Sequence, residues 1–346
     1  MRVLLTGHDG YIGPIMSQRL IEDGHDVVGL DSFLFEECSF GEYESPIPSL
    51  RLDVRDVERK DLDGFDAVIH LAAISNDPLG NLNPGCTYDI NHLASVRLAR
   101  LAKEAGVSRY LYSSSCSVYG AASPDEVLSE DAGFSPVTPY AESKVMVEAD
   151  VKELADEAFS PTYMRNATVY GVSPRLRGDL VVNNLVGWAL TTGKVHLKSD
   201  GTPWRPLVHV EDLCHAFSCA LVAPREVIHN EAFNVGRSTE NYRISEVAEI
   251  VRDAVAGSQL TYEEGAGPDP RCYRVDFAKI ERELPGFDPQ WTVARGVDQL
   301  LAAYRQVGLA QEDLEGDRYL RIKHISRLMA EARIDSDLRW IPASSR

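Results

Sequence analysis

The sequence predicts an α/β protein built on a doubly wound parallel sheet, with a smaller C-terminal α/β lobe. Three observations predict it. An apolar run, RVLLTG at 2–7, leads straight into a turn with glycines at 7, 10 and 13. Further apolar runs recur at 26–31, 67–73 and 109–115, each with the length and composition of a buried strand. Between them lie segments of helical spacing, such as IGPIMSQRLIEDG and NHLASVRLARLAKEAG. Strand, helix, strand at this pitch winds a parallel sheet.

The later elements follow the same logic less regularly. SPTYMRNATVYG at 160–171 reads as a further strand, and LVVNNLVGWALTTG at 180–193 as a helix. FNVGR at 233–237 is a short strand and RISEVAEIVRDAV at 243–255 an amphipathic helix. The expected division is a first domain over residues 1–170, with a return segment near 206–235, and a second lobe over 171–346. After about residue 305 the chain is highly charged. There Tyr319, Ile322, Ile325, Leu328, Met329 and Ala332 form a helical stripe, expected to pack on the second lobe, with a partner-facing helix as the alternative.

Composition excludes several classes of function. The 346 residues carry a formal net charge of -18, which disfavours nucleic acids and anionic membranes as partners. No apolar stretch is long enough to span a bilayer, and no signal peptide reads from the N-terminus. Six scattered cysteines, at 38, 86, 116, 214, 219 and 272, form no CxxC pair. No metal site and no disulfide framework are expected, which suits a reducing cytoplasm.

The glycine turn carries the first functional signal. Free N–H groups at a helix N-terminus suit phosphate. Gly7, Gly10 and Gly13 would let the backbone approach a pyrophosphate and let helix pack on strand. Asp31 ends the second run, eighteen residues after Gly13. A carboxylate there accepts both ribose hydroxyls of NAD and repels the 2′-phosphate of NADP. Asp53 and Val54, after SLRL, are placed to meet an adenine edge.

The second signal is catalytic. YSSSCSVYG at 112–120 ends a strand at the carboxyl edge of the sheet. In PYAESK, Tyr140 and Lys144 stand four apart and share a helix face. A neighbouring ammonium and a positive nicotinamide ring favour phenolate, lowering the tyrosine pKa from its usual ~10 toward that of a general base. Ser115 can hydrogen-bond a reacting sugar oxygen.

In combination, TGHDGYIG, HLAA at 70–73, SSSCSVYG, YAESK, RNATVYG at 165–171 and RPLVHVEDL at 205–213 are specific. Over roughly residues 1–305 the sequence resembles the extended short-chain dehydrogenase/reductases, in the NAD-dependent nucleotide-sugar epimerase/dehydratase branch. The resemblance implies a Rossmann-type fold. It implies Tyr140 as base, Lys144 as its tuning partner and nicotinamide-ribose ligand, and Ser115 as the residue that polarises the sugar. It implies tightly bound NAD that takes a hydride from a sugar carbon and returns it. Tyr11, Ile12, Leu71, Ala72, Ala73, Asn91 and Ser113 fall at its cofactor positions. Cys116, Ser117 and Asn166 fall at its sugar positions, Asn184 and Arg205 at its diphosphate positions. A second phosphate arginine of the family has Ala266 at its place here, leaving Arg271 as the nearest candidate. Tyr273 falls where a bulky residue limits an N-acetyl group. The resemblance also implies a homodimer through helices at 91–105 and 140–155.

The reaction is narrowed by two positions. In the family, 4,6-dehydratases carry an Asp-Glu pair after the polarising residue, and UDP-glucuronate decarboxylases a Glu at the second place. Here Cys116 and Ser117 stand there. The expectation is therefore 4-epimerisation of a nucleotide-diphosphate sugar through a transient 4-keto sugar. Alternatives are a C3/C5 epimerase using Cys116, a dehydratase or decarboxylase, a dehydrogenase with free NAD, and a non-catalytic NAD-binding protein.

Overall fold

A computed structural model describes residues 1–120, 126–265, 267 and 272–342. Seven short strands pair as one sheet: β1 (Arg2–Thr6), β2 (Asp26–Asp31), β3 (Ser49–Arg51), β4 (Ala67–His70), β5 (Arg109–Ser115), β6 (Ser160–Asn166) and β7 (Glu231–Val235). Their spatial order is β7-β6-β5-β4-β1-β2-β3, and every pairing is parallel. This is a Rossmann-type doubly wound sheet. The order reverses between β1 and β4, where ligands enter such sheets.

The strands are apolar throughout because both faces are covered. Val3 and Leu5 point into one core, Leu4 into the other. The first core is closed by α1 (Gly13–Glu22), the second by α2 (Ala94–Glu104) and α3 (Pro139–Lys152). A second small sheet joins 168–170, 204–209 and 241–243, with 204–209 in the middle. It packs beside α4 (Val181–Thr192). The chain then returns to the first sheet through α5 (Val210–Val222), where Arg19 of α1 meets His215 at 2.8 Å. Helix α6 (Val293–Val307) completes the second core.

The charged tail departs from the sequence expectation. Leu314 and Tyr319 pack on the second lobe. Helix α7 (Arg321–Ala330) then turns across to the first, where Ile325, Leu328, Ile334 and Leu338 join Leu4, Leu30 and Val54 in one core. The helical stripe was readable, but the surface it covers was not, because both lobes offer apolar seats.

Helix α3 buries an ionisable stripe. Tyr140, Lys144 and Glu148 stand at successive i, i+4 positions facing the sheet. Glu148 accepts from Arg165 of β6, Nη2 at 2.7 Å and Nε at 3.1 Å, and from the Ser114 hydroxyl of β5. Both partners are buried. Removing one side of such a pair strands the other charge. Glu148→Ala should lower unfolding free energy by ~3–5 kcal/mol, read from a denaturant midpoint; a loss below ~1 kcal/mol would mean the pair does not anchor the helix.

Candidate active site

The carboxyl ends of β1, β2, β4 and β5 open into one cavity of about 900 Å³. At its floor lies the glycine turn. Gly7 has φ +73°, and a Cβ there would lie 2.7 Å from the Ala72 nitrogen. A Cβ on Gly13 would lie 2.2 Å from the His8 carbonyl oxygen. These two glycines are thus required first by the chain's own close packing. Gly7, Gly10, Tyr11 and Ile12 line the cavity; Gly13 does not. The Tyr11 phenol is spent on the second lobe, donating to the Gly171 carbonyl at 2.6 Å.

The cradle fits a dinucleotide. Leu71, Ala72 and Ala73 form its opposite wall. Asp31 lines the cavity at the end of β2, oriented by the Phe33 N–H at 2.8 Å and the Asp9 N–H at 3.0 Å. Burial pushes its carboxyl up to about 6. Asp53 and Val54 also line the wall. Asp53 is already paired, however, with Arg55 at 2.6 Å. Asn91 does not reach the cavity. It is fully buried in a π-helical turn at Asp89–Leu93, where it grips Ile74 through both backbone groups, at 2.7 and 2.9 Å. It positions the wall rather than touching what the wall holds.

The catalytic candidates converge. Ser115, Tyr140 and Lys144 line the cavity together with Ser113, Ser117 and Asn166. Thr138 caps α3 and Pro139 starts it, so Tyr140 sits in the first turn at the cavity edge. Lys144 is almost fully buried and donates to the Ser113 carbonyl at 2.7 Å. Burial lowers its ammonium to about 7, against the pull of Glu148. The Tyr140 phenol is raised, not lowered: burial dominates, while Ser115 and Arg177 pull it down. Without the nicotinamide charge, burial outweighs the lowering expected from the sequence. Desolvation acts on both groups, disfavouring the charged form of each. Asn166 donates to the Ser113 hydroxyl at 2.9 Å, which fixes the strand ends side by side.

Cys116 does not take the sugar position that the resemblance implies. Its thiol is fully buried, lies 3.1 Å from the Arg165 carbonyl, and is raised well above its ordinary pKa by burial. It does not line the cavity, because the 3-10 turn at Cys116–Tyr119 aims it inward.

At the far end, Asn184, Arg205 and Tyr273 line the cavity. The Asn184 amide donates to the Gly178 carbonyl at 2.7 Å. Arg205 lies 5.6 Å over the Tyr273 ring. Arg271 lies outside the described residues. Sequence reading missed Arg177, whose guanidinium lines the cavity, pairs with Asp179 at 2.8 Å and donates to the Ser75 hydroxyl at 3.1 Å. The Arg-Leu-Arg run at 175–177, directly before GDL, was the available signal.

One test follows from Asp31. Below its pKa of about 6 the carboxylate is neutralised and becomes a weaker acceptor for ribose hydroxyls. NAD affinity, measured by calorimetry, should fall roughly tenfold as pH drops from 7 to 5, and Asp31→Asn should remove that dependence. A flat wild-type profile would refute the assignment.

Comparison with known proteins agrees with this geometry. The model of the NAD dependent epimerase/dehydratase family matches residues 3–236. A UDP-glucose 4-epimerase of Mycolicibacterium smegmatis is 30% identical over 323 residues, covering 88% of this chain and 99% of that protein. UDP-glucuronic acid decarboxylase 1 of Arabidopsis thaliana is 26% identical, covering 91% of this chain and 72% of its own. The solved structure of MoeE5 in complex with UDP-glucuronic acid and NAD superposes with a TM-score of 0.78 at 26% identity, over 88% of this chain and 99% of that one. With a family model matching more than half of its length, the chain belongs to the NAD dependent epimerase/dehydratase family.

Proposed function

We propose that this protein is a nucleotide-sugar 4-epimerase that works through a transient 4-keto sugar with NAD held throughout. One observation carries the choice within the family: the two positions after Ser115 hold no carboxyl group. Cys116 is turned away from the cavity, and Ser117 offers a hydroxyl. Elimination of water or loss of CO₂ asks for more acid–base groups than 4-epimerisation does. The 4-epimerase relative supports the same reading.

The roles follow from chemistry at the site. The Tyr140 phenolate takes the proton of the sugar O4 hydroxyl, and Ser115 holds that oxygen as it becomes a carbonyl. Lys144 and Asn166 keep the strand ends and the nicotinamide ribose in place. Bound NAD would supply the redox chemistry, a reversible two-electron hydride exchange with C4. Tyr140 then returns the proton to O4, so atoms and electrons balance and the product is an isomer. Asn184 and Arg205 hold the diphosphate while the sugar swings over, with Arg271 a further candidate beyond the described residues. Tyr273 bounds the sugar's N-acetyl side. We assign the homodimer contact to α2 and α3, whose edges leave Leu93 and Met146 exposed.

A second reading, a dehydratase, is favoured by Asp77. Its carboxylate lines the cavity and acts on Tyr140, raising the phenol.

Both readings are tested by product analysis with UDP-, GDP-, dTDP- and CDP-sugars and no added NAD. An isomer of unchanged mass is expected. A product lighter by one water would favour the Asp77 reading. Tyr140→Phe should retain NAD and lose ~10²–10⁴-fold in turnover; normal turnover in that variant would sink the mechanism. Because burial raises the phenol, wild-type turnover should climb with pH above neutral.

A further inference from the structure

The C-terminal tail closes over the same cavity, and one of its residues is left electrostatically incomplete. Arg321, in the first turn of α7, is 4% exposed and lines the cavity. Its Nη2 donates to the Arg175 carbonyl at 2.9 Å, and its guanidinium lies 4.2 Å over the Phe35 ring. The Cys38 thiol lies beside it, and Arg177 and Asp179 act on it from nearby. Nη1 makes no hydrogen bond among the described residues. The neighbouring arginines are neutralised: Arg175 pairs with Asp9 at 2.6 Å and Arg177 with Asp179 at 2.8 Å. Arg321 has no such carboxylate among the described residues. A buried, unpaired guanidinium is costly unless an anion meets it.

The tail is also tied to both loops that follow the nucleoside-reading carboxylates. After Asp31, the Ser32 carbonyl accepts from Trp340 Nε1 at 2.6 Å, and the Leu34 carbonyl from His324 Nε2 at 2.9 Å. After Asp53, Arg55 donates to the Asp337 carbonyl at 2.9 Å, and Asp56 pairs with Arg339 at 2.5 Å. Ile325 and Leu338 complete the wall.

We propose that residues 311–342 form a clamp over the adenosine half of the bound dinucleotide, and that Arg321 supplies a charge-assisted contact to its pyrophosphate. Arg175, which Arg321 touches, is itself paired with Asp9 of the glycine turn, so the anion at hand is the dinucleotide's rather than the sugar nucleotide's. A clamp suits an enzyme whose cofactor stays bound between turnovers. The inference rests on NAD as cofactor but not on 4-epimerisation.

The test uses the full chain without any sugar. Release of radiolabelled NAD into excess unlabelled NAD is timed for wild type, Arg321→Gln and Arg321→Lys, with thermal unfolding as a control. Arg321→Gln should release NAD roughly tenfold or more faster, and Arg321→Lys less so. ADP affinity should fall with it while adenosine affinity holds, as expected of a phosphate contact. Unchanged release in a folded Arg321→Gln would overturn the proposal. So would a loss of UDP affinity with NAD retention intact, which would give the guanidinium to the sugar nucleotide. Should Arg321→Gln fail to fold, Trp340→Ala loosens the tail outside the cavity; it must also speed release, and unchanged release overturns the clamp. Because sugar is absent, failure of the epimerase reading would leave these outcomes intact.

Discussion

Helix α3 meets the sheet through ionisable side chains, and the site depends on that contact. Most helices bury an apolar stripe. Here Lys144 and Glu148 are buried and Tyr140 half-buried on one face, with Val147 and Val151 beside them. Glu148 compensates Arg165 at the lower end, so the charge burial is balanced there. That anchorage leaves Lys144 and Tyr140 higher on the same face, where the cavity begins. The same low dielectric that strengthens the Glu148–Arg165 pair weakens the ammonium of Lys144. Against the burial that raises the Tyr140 phenol, Ser115 and Arg177 pull it down.

Around that contact, the polar groups fall into two kinds. Some are spent on holding backbone: Asn91 on Ile74, Asn166 on Ser113 and Ser114, Tyr11 on Gly171. Others are free to meet a ligand, and these sit at strand ends. The first kind makes the second precise, because a site built on strand termini is only as fixed as the loops beside it. The tail extends this logic, since it fastens the loops after β2 and β3 that otherwise border solvent.

Much of this was legible in the sequence. Apolar runs at regular intervals reveal parallel strands because each must be buried on both faces. Ser115, Tyr140 and Lys144 were legible because a strand end and a helix start have fixed geometry. Gly7 and Gly13 were legible as glycines that must stay glycines, and close packing was one of the reasons; that the neighbours admitted are Ala72 and His8 only the structure shows. The seat of Cys116 was not legible, because a one-residue step around a 3-10 turn decides whether a side chain meets the cavity or the core.

By itself, then, the sequence determined the fold class, the carboxyl edge of the sheet and the convergence of Ser115, Tyr140 and Lys144 on it, since each is written in local spacing. Tertiary structure alone decided the ionisation balance, the surroundings of Arg177 and Arg321, and the seat of the tail. Desolvation and charge pairing depend on what comes near in space. Arg175 and Arg321 are 146 residues apart in the chain, yet they share a hydrogen bond. No local pattern encodes that proximity; only the packing of the tail across both lobes creates it.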